Sequence, residues 1–420
     1  MLALSLSAGP VQAVAQATAQ SMAPASGSKA WGHLAGQAVI ALERADPIPG
    51  GGSLAELRVV QPALHLAAGA FGHLRLSAVL NLEGATIANG ELAPGNWGEG
   101  FVDRRHPHTY LHELVLTADD LLGARDGAAR VSLTAGKGFA PFGTDDPMVR
   151  PFLRYPVNHH LAQILERAVT IAAVRVGPLL AEAGLFNGDE PERPGQWPRI
   201  GGRFGDSWSA RITGEVRTGL TAQGSYAHVH SPEHRPGAGT DQAKWSLAAR
   251  WERPIGNHPV YLLAEWARTE EADGFFVFHS LLAEGAWTAG PHRLQYRFER
   301  TDRPEEERIS NFRSRRPHLE NSILGTTRWT TQTLGYEVRA LRRSVIELRP
   351  LVEVTYGRVG TVGGGLFDVE QVYGRRDFWS LSFGARIAIG GTMHRMGRYG
   401  AAEDEMDTGG RPMHQHEAVE

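Results

Sequence analysis

The stretch WSLSFGARIAI, residues 379–389, decides the fold class of this chain. Large apolar side chains stand at alternate positions, and the residues between them are mostly small or polar. Strict alternation of this kind is typical of a β-strand with one apolar and one polar face. The same period of two recurs along the chain, most clearly in segments 73–82, 207–217 and 293–299. The chain is therefore predicted to be all-β.

Alternation alone does not say which face of a strand meets water. A soluble β-sandwich turns its apolar side chains inward, whereas a transmembrane barrel turns them toward lipid and keeps the polar ones in its lumen. The connections between strands separate the two folds. We count sixteen strand candidates, near residues 34–45, 53–67, 73–84, 109–118, 130–138, 166–176, 179–187, 203–217, 219–230, 242–253, 259–269, 275–287, 292–301, 322–341, 344–358 and 377–390.

Longer links alternate with tight turns between these candidates. This is the arrangement of outer-membrane barrels, in which long external loops alternate with short periplasmic turns. Aromatic residues also stand near strand ends, where an interfacial girdle would place them; they are Trp251, Trp266, Trp287, Trp329, Tyr356 and Trp379. The sequence thus predicts a closed antiparallel transmembrane β-barrel of about sixteen strands over residues 34–391, with a secreted soluble β protein as the alternative.

Composition excludes several other classes of protein. The 420 residues carry a formal net charge of −3 and include no cysteine. A nucleic-acid-binding protein needs a basic face, so nucleic acid is not an expected partner. Without cysteine there are no disulfides, thiol nucleophiles or cysteine-based metal sites. No G-x-S-x-G motif occurs, so we expect neither an enzyme nor a cofactor.

The segments outside the predicted barrel have different compositions. Residues 1–20 combine a short apolar run with alanine-rich candidate cleavage sites and are predicted to be part of a signal peptide. Residues 21–33 are predicted to be disordered, and residues 392–420 to form a periplasmic tail. Thioether and imidazole groups favour copper, Cu(I) especially. A polar tail that binds no metal is the alternative to a copper site whose candidate ligands are Met393, His394, Met396, Met413, His414 and His416.

The segment GKGFAPFG, residues 136–143, leads from a strand candidate into the long link 139–165. Together with the barrel architecture over about 35–390, it resembles bacterial outer-membrane porins, and loosely the phosphate-selective ones. The resemblance implies passive uptake of small hydrophilic solutes through a channel in the bacterial outer membrane. It also implies outer-membrane lipid as a partner and a possible homotrimer.

The link 139–165 is the candidate constriction of such a channel. Its four prolines stiffen it, and a sixteen-stranded barrel is wide enough to hold a loop and still contain water. Rings of charged side chains in a constriction set ion preference. The candidate pore-lining residues are Asp145, Asp146, Arg150 and Arg154 of this link, with Arg293, Arg297 and Arg339 from the polar phase of strand candidates.

Other interpretations of the link stay open at this stage. It could cap the barrel externally, with its charges in water. The adjacent His159 and His160 could bind a metal if they stood in a turn, since neighbours on a strand point to opposite faces. The leading function is a porin-like channel for small hydrophilic solutes or ions; the alternative is a copper-handling or structural outer-membrane barrel that conducts little.

Overall fold

A computed structural model of the chain describes residues 30–48, 51–86, 108–122, 129–191, 195–232, 239–306, 323–390 and 395–403. Seventeen strands form a single sheet. They are β1 (Ala30–Asp46), β2 (Leu54–Ala70), β3 (Leu74–Asn81), β4 (Leu111–Leu122), β5 (Ala129–Gly138), β6 (Arg167–Val176), β7 (Leu179–Phe186), β8 (Ser207–Arg217), β9 (Leu220–Val229), β10 (Gln242–Ile255), β11 (His258–Glu271), β12 (Phe276–Ala289), β13 (His292–Glu306), β14 (Ile323–Val338), β15 (Leu341–Arg343), β16 (Ile346–Val362) and β17 (Asp377–Ile389).

The sheet is antiparallel, and each strand pairs with its neighbours in the chain. The three-residue β15 prolongs β14, because both pair with β16, so sixteen strands make up the wall. The wall closes where β1 pairs with β17, from Gly36 opposite Ile389 to Asp46 opposite Trp379. A closed sheet has no edge strand and pairs its backbone groups within itself, which is a requirement for crossing a bilayer. The predicted closed sixteen-strand barrel is confirmed.

The two faces of the wall differ as a transmembrane barrel requires. Large apolar side chains point outward and are exposed, as Leu281 at 50% and Phe383 at 54% show. Their polar neighbours Ser280 and Ser382 point inward and are buried. In water, an exposed apolar face would lack the stabilisation that burial gives, which is roughly 25 cal/mol for each Å² of apolar surface. The outer face is therefore suited to lipid, and the polar chemistry of the chain is gathered in the lumen.

Connections of different length gather at the two ends of the barrel. At one end, here the turn end, neighbouring strands are joined by links such as 177–178, 256–257 and 290–291. At the other, the loop end, most links are longer, as at 139–166 and 363–376. Two loop-end links, between β1 and β2 and between β11 and β12, are short. In outer-membrane barrels the turn end is the periplasmic one.

Among the residues that the structure describes, helical structure is confined to short pieces. These are α1 (Glu83–Thr86), α2 (His159–Ala162), α3 (Val369–Tyr373) and the 3₁₀ turns Pro147–Val149 and Gly400–Ala402. Over the described residues, no helix has the length and apolar character needed to cross a membrane.

Two sequence predictions need correction at this level. Residues 30–33, predicted to be disordered, belong to β1, where Ala30 pairs with Ala70 and His33 with Ala67; backbone pairing prolongs the strand beyond its alternating pattern. Trp329, predicted for an interfacial girdle, points inward and is fully buried. It packs on Phe378 at a ring-centroid distance of 5.0 Å, because α3 closes an apolar cluster beside it at the loop end. Residues 1–29 lie outside the described residues.

Candidate functional site in the barrel lumen

The link 139–165 lies inside the barrel, and we call it the inward loop. It leaves β5 and returns to β6, and its aromatic side chains Phe139, Phe142, Phe152 and Tyr155 are all buried. Buried side chains alone would also fit a compact cap over the barrel mouth. The contacts of the loop decide against a cap, because they reach inward-facing residues on many strands of the wall.

Wall carboxylates hold the backbone of the inward loop. Glu353 of β16 accepts hydrogen bonds from the amides of Leu153 and Arg154 at 2.9 and 3.0 Å. Glu299 of β13 accepts one from the amide of Val157 at 2.6 Å. These bonds satisfy loop donors that no secondary structure pairs, and bonds to a charged acceptor are stronger than neutral ones. The loop is thus fastened across the width of the lumen.

Further contacts with the wall hold other points along the inward loop. The Gln61 amide of β2 donates to the carbonyls of Phe152 and Leu153 at 3.1 and 3.0 Å. Asn158 donates to Glu265 of β11 at 2.7 Å. On the opposite wall, Arg211 of β8 donates to the carbonyl of Gly143 at 3.1 Å. The loop therefore spans from β2 and β16 on one side to β8 and β11 on the other.

Gly143 permits the sharp turn that starts this path. Its φ is +64°, and a Cβ there would overlap the carbonyl oxygen of Ala162. We expect Gly143→Ala to destabilise the folded protein well beyond the roughly 1–2 kcal/mol that a left-handed conformation costs a non-glycine residue. Gly72 is the matched control, since its φ is +74° and nothing lies near its Cβ position. Chemical unfolding in detergent measures the free energy of unfolding of both variants. Equal losses of stability would contradict the close approach between Gly143 and Ala162.

Asp145 is the centre of the charge network in the lumen. Its carboxylate is fully buried and pairs with Arg250 of β10. Arg395 forms a bidentate ion pair with this carboxylate, from Nε to Oδ2 at 2.7 Å and from Nη2 to Oδ1 at 2.8 Å. Arg398 lies 3.8 Å away. Burial alone would raise the pKa of the Asp145 carboxyl, but the guanidinium groups of Arg395 and Arg250 outweigh it and hold this pKa well below its ordinary value.

Asp146 faces away from its neighbour and meets histidines. Its carboxylate lies 3.4 Å from Nε2 of His112 and 3.9 Å from Nε2 of His159. It also accepts a 2.7 Å hydrogen bond from the amide of Met148, which caps the 3₁₀ turn. Asp146 is thus a structural residue of the loop, and the two aspartates do not form one acidic pair. His112, in turn, pairs with Glu166 on its other side.

Three of the predicted arginines meet at Glu284 of β12 or close to it. Arg297 donates to Glu284 at 2.7 Å and to the carbonyl of Arg154 at 2.7 Å. Arg150 lies 3.6 Å from Glu284. The Arg297 guanidinium also stacks over the Phe152 ring, 4.0 Å from its centroid. The structure therefore brings Arg150, Arg154 and Arg297 together, all of them buried.

The remaining two arginines do not reach this group. Arg293 stands near the start of β13, at the turn end, and pairs with Glu337 at 3.3 Å. Arg339 follows β14 in a turn-end link, where its amide donates to the carbonyl of Pro291 at 2.7 Å. Strand phase places both on the inner side of the wall, but phase carries no information on depth along the barrel. Arg293 and Arg339 thus lie apart from the inward loop, and their role in lining the pore stays a prediction.

The structure places residues 395–403, which we call the tail segment, inside the barrel as well. The prediction was a periplasmic tail over 392–420. Tyr399 donates from its hydroxyl to Glu113 of β4, and the same oxygen accepts from the amide of Phe139 at 3.0 Å. The amide of Ala401 donates to Ser132 of β5 at 2.8 Å. These partners all face the lumen, and the segment lacks the alternating pattern that would have revealed its burial.

Placement in the lumen also bears on the proposed copper ligands. Met396 is buried, and its apolar neighbours include Phe139, Met148 and Tyr155, so its thioether serves as a core side chain. Met393, His394, Met413, His414 and His416 lie outside the described residues. Within the ranges that the structure describes, no group of three or more histidine, aspartate or glutamate residues is placed to hold a metal ion.

Sequence reasoning missed the wall glutamates that hold the inward loop. Glu265, Glu299 and Glu353 each stand between two outward-facing residues of a strand and are themselves buried. Their phase could have identified them as lumen residues. Their partners could not have been found, because the hydrogen bond between Glu353 and Leu153, for example, joins residues 200 positions apart.

No family model and no curated protein matches the sequence. Among solved structures, the anion-selective porin of Comamonas acidovorans is 12% identical, with 86% of this chain and all of that chain covered and a TM-score of 0.51. Pseudomonas putida OprB is 11% identical, covering 85% of this chain and 94% of that one, with a TM-score of 0.50.

This chain has the fold of bacterial outer-membrane porins. A loop-deletion form of OmpT, an outer-membrane protein of Vibrio cholerae, is similar to the same extent, at 11% identity and a TM-score of 0.50 over 86% of this chain and all of that one. At this identity the likeness concerns the fold alone. The narrower resemblance to phosphate-selective porins stays a hypothesis.

Proposed function

We propose that the protein is an outer-membrane channel through which small hydrophilic solutes or ions diffuse passively, with the inward loop as its constriction. The observation that carries the proposal is a loop fastened across the inside of a closed barrel whose outer face is apolar and whose inner face is charged. A folded-in loop narrows a wet lumen to a size at which wall charges act on passing solutes.

Conductance in planar bilayers tests the channel directly. The recordings compare the full chain with a variant in which residues 144–162 are replaced by a short glycine-serine turn. Because the tail segment also occupies the lumen, the same pair is recorded with the chain ended at Gly390. We expect the loop replacement to raise conductance several-fold in the shortened chain. If none of the four proteins conducts while all migrate as folded barrels in unboiled gels, the channel proposal fails.

The arginines of the inward loop give a prediction on ion preference. Arg150→Ala with Arg154→Ala removes two positive charges beside Glu284 and Glu299, so the lumen becomes more negative. We expect the reversal potential across a KCl gradient to shift toward cation preference, because charges in a narrow pore are only partly screened at a Debye length of about 8 Å.

The charge-matched control for this pair is Arg217→Ala with Arg268→Ala. Arg217 lies over the Trp251 ring and Arg268 over the Trp245 ring. The control should leave the reversal potential unchanged. An equal shift from both double variants would mean that the inward loop does not line the conducting path.

A barrel that conducts little is the second candidate, and one observation favours it. Inward-facing side chains on both sides of the lumen are buried, including Glu43, Thr134, Thr301 and Ser382, so the inward loop and the tail segment leave little open space among the described residues. The copper-handling form of this alternative stays a prediction about a tail of which only part is described.

A homotrimer in outer-membrane lipid is also part of the proposal, and cross-linking of the detergent-solubilised protein tests it.

A further inference from the structure

The tail segment lies in the lumen beside the inward loop, along the wall from β3 to β9. β17 ends at Ile389, at the turn end, and residues 395–403 lie inside the barrel. Residues 395–403 contact inward-facing side chains of β3 through β9. Much of the inward loop is held by β2, β11, β13 and β16, and its start at Gly143 also reaches β8. The two segments therefore divide the cross-section of the lumen between them.

Ion pairs hold the first half of the tail segment at mid-depth. Arg395 and Arg398 approach Asp145 of the inward loop, as described above. Arg398 also lies 3.3 Å from Glu182 of β7 and donates to Thr213 of β8 at 3.1 Å. The pairing is bidentate at Arg395, which gives geometric specificity as well as attraction. The first half is thus fixed both to the inward loop and to the wall.

Backbone contacts hold the second half against the wall. The carbonyl of Gly397 accepts from Arg211 at 2.8 Å, and that of Ala401 accepts from Arg175 at 2.8 Å. Gly400 has a φ of +58°, and a Cβ there would overlap the Ser132 side chain. Glu403 ends the described segment in an ion pair with Arg75, near the turn end of β3. The fit is too close for a loosely held terminus.

Polar wall residues beneath the tail segment are shielded by it. Thr117, Ser132, Thr134 and Arg211 face the lumen, and all are buried. In a water-filled channel such residues would line the passage. Here the tail segment contacts Ser132 and Arg211 directly. The side of the lumen along β4, β5 and β8 is therefore closed by the chain's own residues.

We propose that the tail segment is a plug that closes this channel from the turn end and that the passage conducts fully only when the plug is withdrawn. The inference rests on the proposed channel function. Withdrawal is chemically feasible because most of the bonds are ion pairs and hydrogen bonds. After withdrawal, water would hydrate both the groups of the tail segment and the wall groups that had bonded to them. The charges of Arg395, Arg398 and Glu403 would then be solvated below the barrel.

A cysteine pair tests the position of the plug independently of conductance. The chain has no cysteine of its own, so Ser132→Cys with Ala401→Cys introduces one pair, at positions whose Oγ and amide nitrogen lie 2.8 Å apart. We expect a disulfide to form in the folded barrel under mild oxidation. The matched control is Leu133→Cys with Ala401→Cys, because Leu133 is the next residue but faces outward. Absence of the 132–401 disulfide, or equal yield in the control, overturns the proposed position.

Conductance then tests closure. We expect the chain ended at Gly390 to conduct at least tenfold more than the full chain. Arg395→Ala with Arg398→Ala should give an intermediate increase in a full-length protein, which guards against misfolding of the shortened chain. Adding the 132–401 cysteine pair to this double variant should return conductance to the low level, and a thiol reductant should restore the increase.

The remaining outcomes separate the plug from the channel. Equal, substantial conductance of the full and shortened chains overturns the plug and leaves the channel standing. If the shortened chains, with and without the inward loop, migrate as folded barrels but conduct no more than background, while the 132–401 disulfide forms in the full-length chain, the channel is overturned and with it any gating by the tail segment.

Discussion

Replacing Leu247 with arginine should destabilise the barrel by about 2–4 kcal/mol in a lipid bilayer. Leu247 stands near the middle of β10 with its side chain 58% exposed on the outer face. At that depth a guanidinium group would enter the hydrocarbon. The free energy of unfolding by guanidinium chloride, measured in lipid vesicles, reports the loss.

Ile255 provides the control within the same strand. It is the last residue of β10, is 60% exposed and shares the outward phase of Leu247. Arginine there would stand at the interface, where the cost falls to roughly 0–1 kcal/mol. A soluble barrel would tolerate arginine equally at both positions. Equal small effects would therefore argue against a bilayer around this part of the wall.

Asp145→Asn should produce the other large effect. The substitution leaves Arg250, Arg395 and Arg398 close together without the carboxylate that they share. Removing one partner of a buried ion pair costs about 3–5 kcal/mol, and we expect a loss toward the lower end because Arg395 is partly exposed. The control is Glu270→Gln, whose pair with Arg268 is partly exposed and should contribute at most about 1 kcal/mol.

The pH dependence of this effect follows from the pKa of Asp145. Because the folded-state pKa is depressed, the ionised carboxylate stabilises the fold at pH values above the ordinary pKa of aspartate, about 3.9. The difference in unfolding free energy between wild type and Asp145→Asn should be constant from about pH 8 to pH 5 and should decrease only as the pH falls below the ordinary pKa. A difference that disappears already near pH 6 would contradict the depressed pKa.

The sequence predicts the wall of this protein well and its interior only in part. Leu381 faces outward and Ser382 faces the lumen. The alternation in the sequence therefore reflects the side of the closed wall on which each residue lies. The same reasoning identified 139–165 as a stiff, anchored link. Whether that link folded inward depended on Glu299 and Glu353, which are distant in sequence, and no local pattern encodes such pairings.

The tail segment shows this limit most clearly. Arg395, Arg398 and Glu403 look like the charges of a solvated segment, because nothing in their sequence neighbourhood is apolar over a regular period. Burial becomes favourable only when Asp145, Glu182 and Arg75 offer countercharges from other parts of the chain. The position of Arg293 and Arg339 at the turn end was not predictable for a related reason, since strand phase gives the side of the wall but not the height on it.

The carboxylates that hold the inward loop also imply an order of assembly. Glu299 and Glu353 lie on β13 and β16, far along the chain from the loop amides that they accept. Hydrogen bonding between neighbouring strands can propagate without the loop, whereas the loop reaches its final partners only after those late strands are in place. Loop docking should therefore be the slower step, since contacts at large sequence separation form late. In pulse-labelled hydrogen exchange during refolding, the amides of Leu153 and Val157 should gain protection after those of β6 and β7.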